Sequence, residues 1–262
     1  MKRLFLLFIA LFVSQGALAQ STRCPEHFAG GASPQFINQK LAARTTALCF
    51  EAFAVMHSGI SRTPIWSAEH LTANSVEEAK SLKRRNTFHP EHRMPREDRA
   101  ELRDYSGSGL DRGHMSPSGD MPSRNAQYES FSLANIVPQD PNNNQNLWVG
   151  FEEGIRALAR NRGELYVVTG PMFEGNSIQR LNGRVLVPTH LFKAVYDPVS
   201  QQAAAYVAPN APGSEYQVVS IAELEKRLSI NLFPKMPPGV KDNKMALPEP
   251  RPHGRRLRQP RF

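Results

Sequence analysis

The pattern of apolar and polar positions divides the chain into several short strand-like runs and one longer helical run. Phe50 to Val55 and Pro64 to Leu71 are short and rich in aromatic and branched residues, with a His57-Ser58-Gly59 turn close by, and read as early sheet strands. Lys80 to Arg103 is polar, basic, broken by Pro90 and Pro95, and without sustained period, which predicts a long surface excursion. Ser132 to Pro138 reads as another short strand. From Asn144 to Arg160 the period changes: at about 100° per residue, Leu147, Trp148, Phe151, Ile155 and Leu158 fall in one stripe, which predicts a helix packed on the core. Glu152 and Arg156 lie on the flank of that stripe, Glu153 faces the other way, and Asn144 starts the helix on its inward side. Leu165 to Thr169, Val185 to Val187, Leu191 to Tyr196 and Ala203 to Val207 read as further strands, and Ser220 with Glu223 forms a capping box opening a helix through Leu228. Clustered strands with helices between and after them predict an α+β architecture with a mixed or antiparallel sheet.

The first residues change this picture. Lys2 and Arg3, the apolar run Leu4 to Val13 and the small-x-small triplet Ala17-Leu18-Ala19 read as an export signal over residues 1–19, cleaved after Ala19. That run is well short of the roughly twenty residues a spanning helix needs, and nothing later is apolar enough, so no membrane anchor is expected. An exported pair of cysteines, Cys24 and Cys49, reads as a disulfide rather than a metal or catalytic site. A catalytic domain is expected over 20–237. The remaining residues, 238–262, alternate prolines with Arg251, Arg255, Arg256, Arg258 and Arg261 and read as an extended or disordered tail. The formal charge of +8, less the two cations of the signal, still draws the protein to polyanions.

Candidate chemistry gathers in one part of the sequence. In Asp111-Arg112-Gly113-His114, an extended backbone places Arg112 and His114 on one face, with Gly113 adding no side chain to crowd a substrate. His114 can serve as a base, because an imidazole near its ordinary pKa is substantially neutral at physiological pH. Asn144 and Glu152 add an amide and a carboxylate on the following helix, an oxygen-rich set that suits Mg²⁺ better than Zn²⁺. Helical geometry alone leaves a plainer reading open, with Asn144 an N-cap and Glu152 a solvated edge residue.

Four ordered blocks carry a resemblance: Arg85-Asn86, Asp111-Arg112-Gly113-His114, Asn135 through Asn144-Gln145-Asn146-Leu147-Trp148 to Glu152, and Tyr166 to Pro171. Over roughly Phe50 to Pro237 the chain resembles the DNA/RNA non-specific endonucleases of the ββα-metal group, which includes secreted bacterial nucleases of the Serratia type and mitochondrial endonuclease G. The resemblance implies a ββα-metal motif with His114 as general base and Asn144 as the direct protein ligand of Mg²⁺, with Mn²⁺ as a substitute. Glu152 would hold the ion's waters. Arg112, Arg85 and Arg156 would be catalytic, binding the substrate around the scissile phosphate; Arg85 is preferred to Arg84 because Asn86 follows it. Asp111 and Asn135 would fix local structure, and cleavage would leave 5′-phosphate and 3′-hydroxyl ends. The expected function is an exported, periplasmic or secreted endonuclease acting on DNA and RNA with little sequence preference, as a monomer or homodimer. Its rivals are a phosphodiesterase restricted to one nucleic acid and a basic exported protein that binds polyanions without cutting them.

Overall fold

The computed structural model describes residues 23–251, so the expected export signal and the last eleven residues lie outside the described residues. In chain order the strands that matter here are β1 (Thr45–Cys49), β2 (Phe53–Ser58), β3 (Thr63–Thr72), β4 (Asp111–His114), β5 (Ile136–Gln139), β6 (Glu164–Met172), β7 (His190–Asp197), β8 (Gln202–Pro209) and β9 (Gln217–Val219). The main helices are α1 (Ala73–Lys80), α2 (Arg124–Ser130), α3 (Val149–Arg162) and α4 (Ile221–Leu228). Seven strands form the main sheet in the order β9-β8-β7-β6-β3-β2-β1, with every neighbour antiparallel. β4 and β5 pair separately as an antiparallel hairpin, and Val185–Leu186 pairs with Arg180–Leu181 in a small ribbon outside the main sheet. This is an α+β fold. Among the described residues no helix is long and apolar enough to cross a membrane.

Both faces of the sheet are covered, which explains why its central strands are buried along almost their whole length. Successive strand residues point to opposite faces. Trp66, Ala68, Val168, Phe192 and Ala194 pack with Ile221 and Leu224 of α4 on one side, while Leu71, Leu165, Val167, Leu191 and Val195 pack with Phe151, Ile155 and Ala159 of α3 on the other. The predicted stripe on α3 is therefore the side that meets the sheet, with Leu158 half-buried at its edge.

Several elements differ from expectation in detail. Phe50 to Ala52 is the turn between β1 and β2, and His57 and Ser58 belong to β2, so the turn toward β3 begins at Gly59. The strand expected from Ser132 starts only at Ile136, because Leu133–Asn135 forms a 3₁₀ turn that Ser132 caps by accepting from the Ala134 amide. The helix does not start at Asn144. Asp140 is the cap, its carboxylate accepting from the Asn143 amide at 2.9 Å, and Asn143–Trp148 is a π-helical turn that runs into α3. Such turns are rare and recur at functional sites. The Lys80 to Arg103 excursion is irregular, as expected, but not purely superficial: Met94 and Ala100 are buried, and Glu91 is fixed by Arg93 and Ser132.

Residues 238–251 correct the expectation of a loose tail. Pro238–Lys241 forms a short helix, Met245 is buried and Leu247 packs on the α3 side of the core. Beyond it the chain lies along α3 where two glycines leave the helix surface bare. A Cβ on Gly150 would meet Pro250 at 2.9 Å, and one on Gly154 would meet Pro248 at 3.0 Å. Extended proline-rich chain needs few partners for its own backbone, which suits it to such a flat track. At the other end, Cys24 and Cys49 form the expected disulfide, tying the N-terminal segment to β1.

Candidate active site

The β4–β5 hairpin, the π-helical turn and α3 frame a cleft of about 500 Å³. Arg84, Phe88, Asp111, Arg112, His114, Asn144, Glu152 and Arg156 are among the residues lining it. Sequence positions far apart thus converge on one wall-and-floor arrangement. Of the predicted set, His114, Arg112, Arg156, Asn144, Glu152 and Asp111 all face this space. Arg85 does not; its neighbour Arg84 does, while the Arg85 main-chain amide donates to Gln127.

His114 closes β4. Its ring is packed between Phe131, at 4.8 Å edge-on, and Phe88, at 5.4 Å, leaving the residue only 6% exposed. Burial, with Arg84 and Arg112 adding like-charge repulsion, pushes its pKa down to about 3, so the imidazole is neutral throughout the physiological range. Arg112 lies two residues earlier on the same face, as the extended strand predicted, with its guanidinium 4.3 Å above the Phe88 ring. Gly113 has a different role from the one expected. A Cβ there would sit 1.9 Å from Gln139 Oε1, so the missing side chain makes room for β5 rather than for a substrate.

Across the cleft, Asn144 and Gln145 donate through their side-chain amides to the same Asp111 oxygen, at 2.8 and 2.9 Å. Asp111 thereby fixes the rotation of the Asn144 amide, committing its nitrogen and leaving its oxygen as the free donor atom. Glu152 lies about two helical turns further on, half-buried, and burial pushes its carboxyl up to about 7 despite the opposing pull of Lys193 and Arg156. Arg156 would be lowered by burial, but the Asp120 and Glu152 carboxylates outweigh that and hold it above its ordinary value. Its Nη1 donates to Asp120 Oδ1 at 2.6 Å, and the Asp120 side chain is 3% exposed. Asn135 braces the back of the hairpin: its carbonyl accepts from the Ser116 amide, and its amide donates to the Ser116 and Ser130 carbonyls.

The donor set fits a hydrated hard cation. The amide oxygen of Asn144 and the carboxyl of Glu152, both from residues lining the cleft, are oxygen ligands, and Mg²⁺ takes few of these from a protein. No group of three or more His, Cys, Asp or Glu side chains positioned for a metal exists among the described residues. The His89 ring is stacked on Tyr128 at 4.3 Å. Arg84, Phe88, Asp120 and Gln127 are cleft or supporting residues that sequence reasoning missed. Only Arg84 left a signal, as the alternative beside Arg85.

A neutral imidazole, oxygen ligands and three guanidinium groups around one cleft can activate water and offset the charge of a phosphoryl group. The comparisons with known proteins agree with that chemistry. A family model described as DNA/RNA non-specific endonuclease matches residues 32–238. Nuclease EXOG, mitochondrial, of Danio rerio is 36% identical over 196 residues, 67% of this chain and 57% of the relative. Nuclease C1 of Cunninghamella echinulata var. echinulata is 31% identical over 207 residues, covering 71% of this chain and 82% of its own. Among solved structures, endonuclease G in its complex with EndoGI superposes with a TM-score of 0.65 at 25% identity, over 70% of this chain and 84% of that one. The chain thus spans little more than half of the EXOG relative but most of nuclease C1, and every element of the cleft falls inside the matched range. It belongs to the DNA/RNA non-specific endonuclease family.

Proposed function

We propose that this protein is an exported, Mg²⁺-dependent endonuclease that hydrolyses phosphodiester bonds in both DNA and RNA with little sequence preference. The observation that carries this reading is the buried, neutral His114 sharing one cleft with the Asp111-oriented Asn144 amide, Glu152 and the guanidinium groups of Arg84, Arg112 and Arg156. His114 accepts a proton from water as the water oxygen attacks phosphorus. The bond from phosphorus to the 3′ oxygen breaks and that oxygen takes a proton from solvent water, leaving a 5′-phosphate and a 3′-hydroxyl, while the His114 imidazolium returns its proton to solvent. Arg84, Arg112 and Arg156, the last held by Asp120, offset the charge that builds on the phosphoryl oxygens. Asn144 and Glu152 would hold Mg²⁺, which when bound would supply positive charge to offset the negative charge that develops during cleavage. In this scheme Arg84 takes the place first given to Arg85.

Contacts to phosphate rather than to base edges suit low sequence preference, since phosphates look alike in every sequence. The Cys24–Cys49 disulfide supports export, because such bonds persist in oxidising compartments. Incubating the purified protein with closed circular DNA and with RNA, with Mg²⁺ and with chelator, tests the reading. Cleavage of both in Mg²⁺ alone is expected, with His114→Ala slower by at least about a hundredfold. Binding without cleavage would leave a polyanion-binding protein, and cleavage of one polymer alone would leave a restricted phosphodiesterase.

A further inference from the structure

One buried cation has no part in the scheme above. Lys193, in the middle of β7, is 1% exposed. Period-2 geometry puts it on the α3 face of the sheet between Leu191 and Val195, where an apolar side chain would be expected. An ammonium removed from water is expensive, and replacing a buried ionic group by an apolar one of similar volume is often neutral or stabilising. Stability is therefore a poor reason for this lysine to be there, and its contacts suggest a better one.

Its Nζ donates to Thr169 Oγ1 at 2.8 Å and to the Met115 carbonyl at 3.3 Å, and lies 5.6 Å from the centre of the Trp148 ring. Each partner belongs to a different part of the molecule. Thr169 is in β6, directly opposite Lys193 in the sheet. Met115 follows His114, so its carbonyl fixes the main chain that carries the imidazole. Trp148 ends the π-helical turn that carries Asn144 and leads into the turn of α3 that carries Glu152. One ammonium therefore touches the central sheet, the strand of the base and the helix of the metal donors.

The neighbouring row reinforces this bridge. Ser67 of β3 stands opposite Thr169, so Ser67, Thr169 and Lys193 form a polar row across three adjacent strands. Ser67 Oγ is 2.7 Å from Ser116 Oγ, and both residues are essentially buried. The row thus holds Met115 and Ser116 in succession, immediately behind His114. Hydrogen bonds have defined direction, whereas an apolar contact would let the hairpin slide against the sheet.

We propose that Lys193, with Thr169, is a positioning residue of the nuclease: it sets the placement of His114 relative to the helix that bears Asn144 and Glu152. The proposal rests on the reading of those three residues as the catalytic site. It predicts an effect on turnover rather than on substrate binding, because Lys193 lies beneath the cleft and the phosphate contacts above it remain.

The test uses Lys193→Met, Thr169→Val and Thr169→Ser in the full chain, with kcat and KM measured on plasmid DNA in Mg²⁺ and folding followed by thermal melting. Lys193→Met is expected to fold, to lose about 10- to 100-fold in kcat through misplacement of the reacting groups, and to keep KM within about two-fold. Thr169→Val is expected to lose about 3- to 10-fold in kcat, and Thr169→Ser, which keeps the hydroxyl, to recover most of it. A folded Lys193→Met with kcat within about two-fold of the unaltered protein, or a loss confined to KM, overturns the proposal. If that variant does not fold, the threonine pair decides: equal kcat in the Val and Ser variants overturns it. His114→Ala in the same assay separates the two levels, since undiminished cleavage there defeats the site reading itself.

Discussion

On the face of the main sheet turned toward α4, Trp66 and Ala68 of β3, Val168 of β6, and Phe192 and Ala194 of β7 form a continuous apolar surface. On the face turned toward α3, the same three strands place Ser67, Glu69, Thr169 and Lys193 among Leu71, Val167, Leu191 and Val195. The two surfaces share backbone, register and burial, so the difference is one of purpose. The first face has only to pack. The second has to pack and also to hold the hairpin and helix of the cleft in fixed relation. Specific polar contacts take up area there that apolar side chains would otherwise fill.

The comparison is broken most severely from the apolar side. Phe192 is fully buried, and its ring lies against Gly170, where a Cβ would come within 2.8 Å of it. Phe192→Ala removes that ring with little prospect of collapse between two strands, and a loss of about 3–5 kcal/mol in unfolding free energy is expected by chemical denaturation. Its neighbour Lys193, one residue along the same strand, should lose little stability on becoming Met while losing turnover. A comparable collapse of stability at both positions would show that the two faces are not specialised.

How far this division could be read in the sequence depends on the range of the interactions. The α3 stripe and the alternation through Leu191, Phe192 and Val195 are local and periodic, and the folded chain keeps them. Lys193 left a clue, a charge between two apolar residues on one strand face, but its partner Met115 is 78 residues away. Asp120 is 36 residues from Arg156 and carries no pattern that would pair them. Arg84 and Arg85 lie in an aperiodic stretch where the loop backbone, not a repeat, decides which side chain turns inward. The cap at Asp140 and the π-helical turn after it escaped for a similar reason. A wheel with constant rotation fixes the helix stripe well and its first turn poorly.

A smaller effect sharpens the contrast through pH. Glu69, on the α3 face, is 1% exposed, and neither carboxyl oxygen has a hydrogen-bond partner. Burial, with Asp120 adding repulsion against an opposing pull from Lys193, holds its pKa well above the usual carboxylate range. The folded state therefore binds a proton that the unfolded state releases above about pH 4.5, and stability falls as pH rises from there. His114 acts in the opposite sense. Its pKa is lowered from 6.5 to about 3, so its contribution is complete above 6.5 and is lost as pH falls toward 3. Burial lowers His27 and His57 as well, which steepens the acid side. Glu69→Met should add about 1–3 kcal/mol by removing an orphaned buried group, more at pH 8 than at pH 5, and leave the acid limb unchanged. Denaturation midpoints across that range check it, and a gain independent of pH would mean the carboxyl is already ionised.

The smallest effect concerns the segment that covers the far side of α3. Tyr206 of β8 is fully buried on the α3 face and donates its hydroxyl to the Pro248 carbonyl, the one side-chain hydrogen bond among the described residues between the sheet and the stretch lying over Gly150 and Gly154. Removing the hydroxyl leaves a carbonyl at the edge of the segment, where water can replace the lost donor, so Tyr206→Phe should cost only about 1 kcal/mol. The ring stays in place, stacked on Phe151 at 4.2 Å, and the α3 core should be undisturbed. The measurable consequence is local: proteolysis after the 238–241 helix should accelerate, while the denaturation midpoint moves little. If the midpoint instead drops as far as it does for Phe192→Ala, the segment is not a cover laid on a finished helix but part of what holds α3 against the polar face of the sheet.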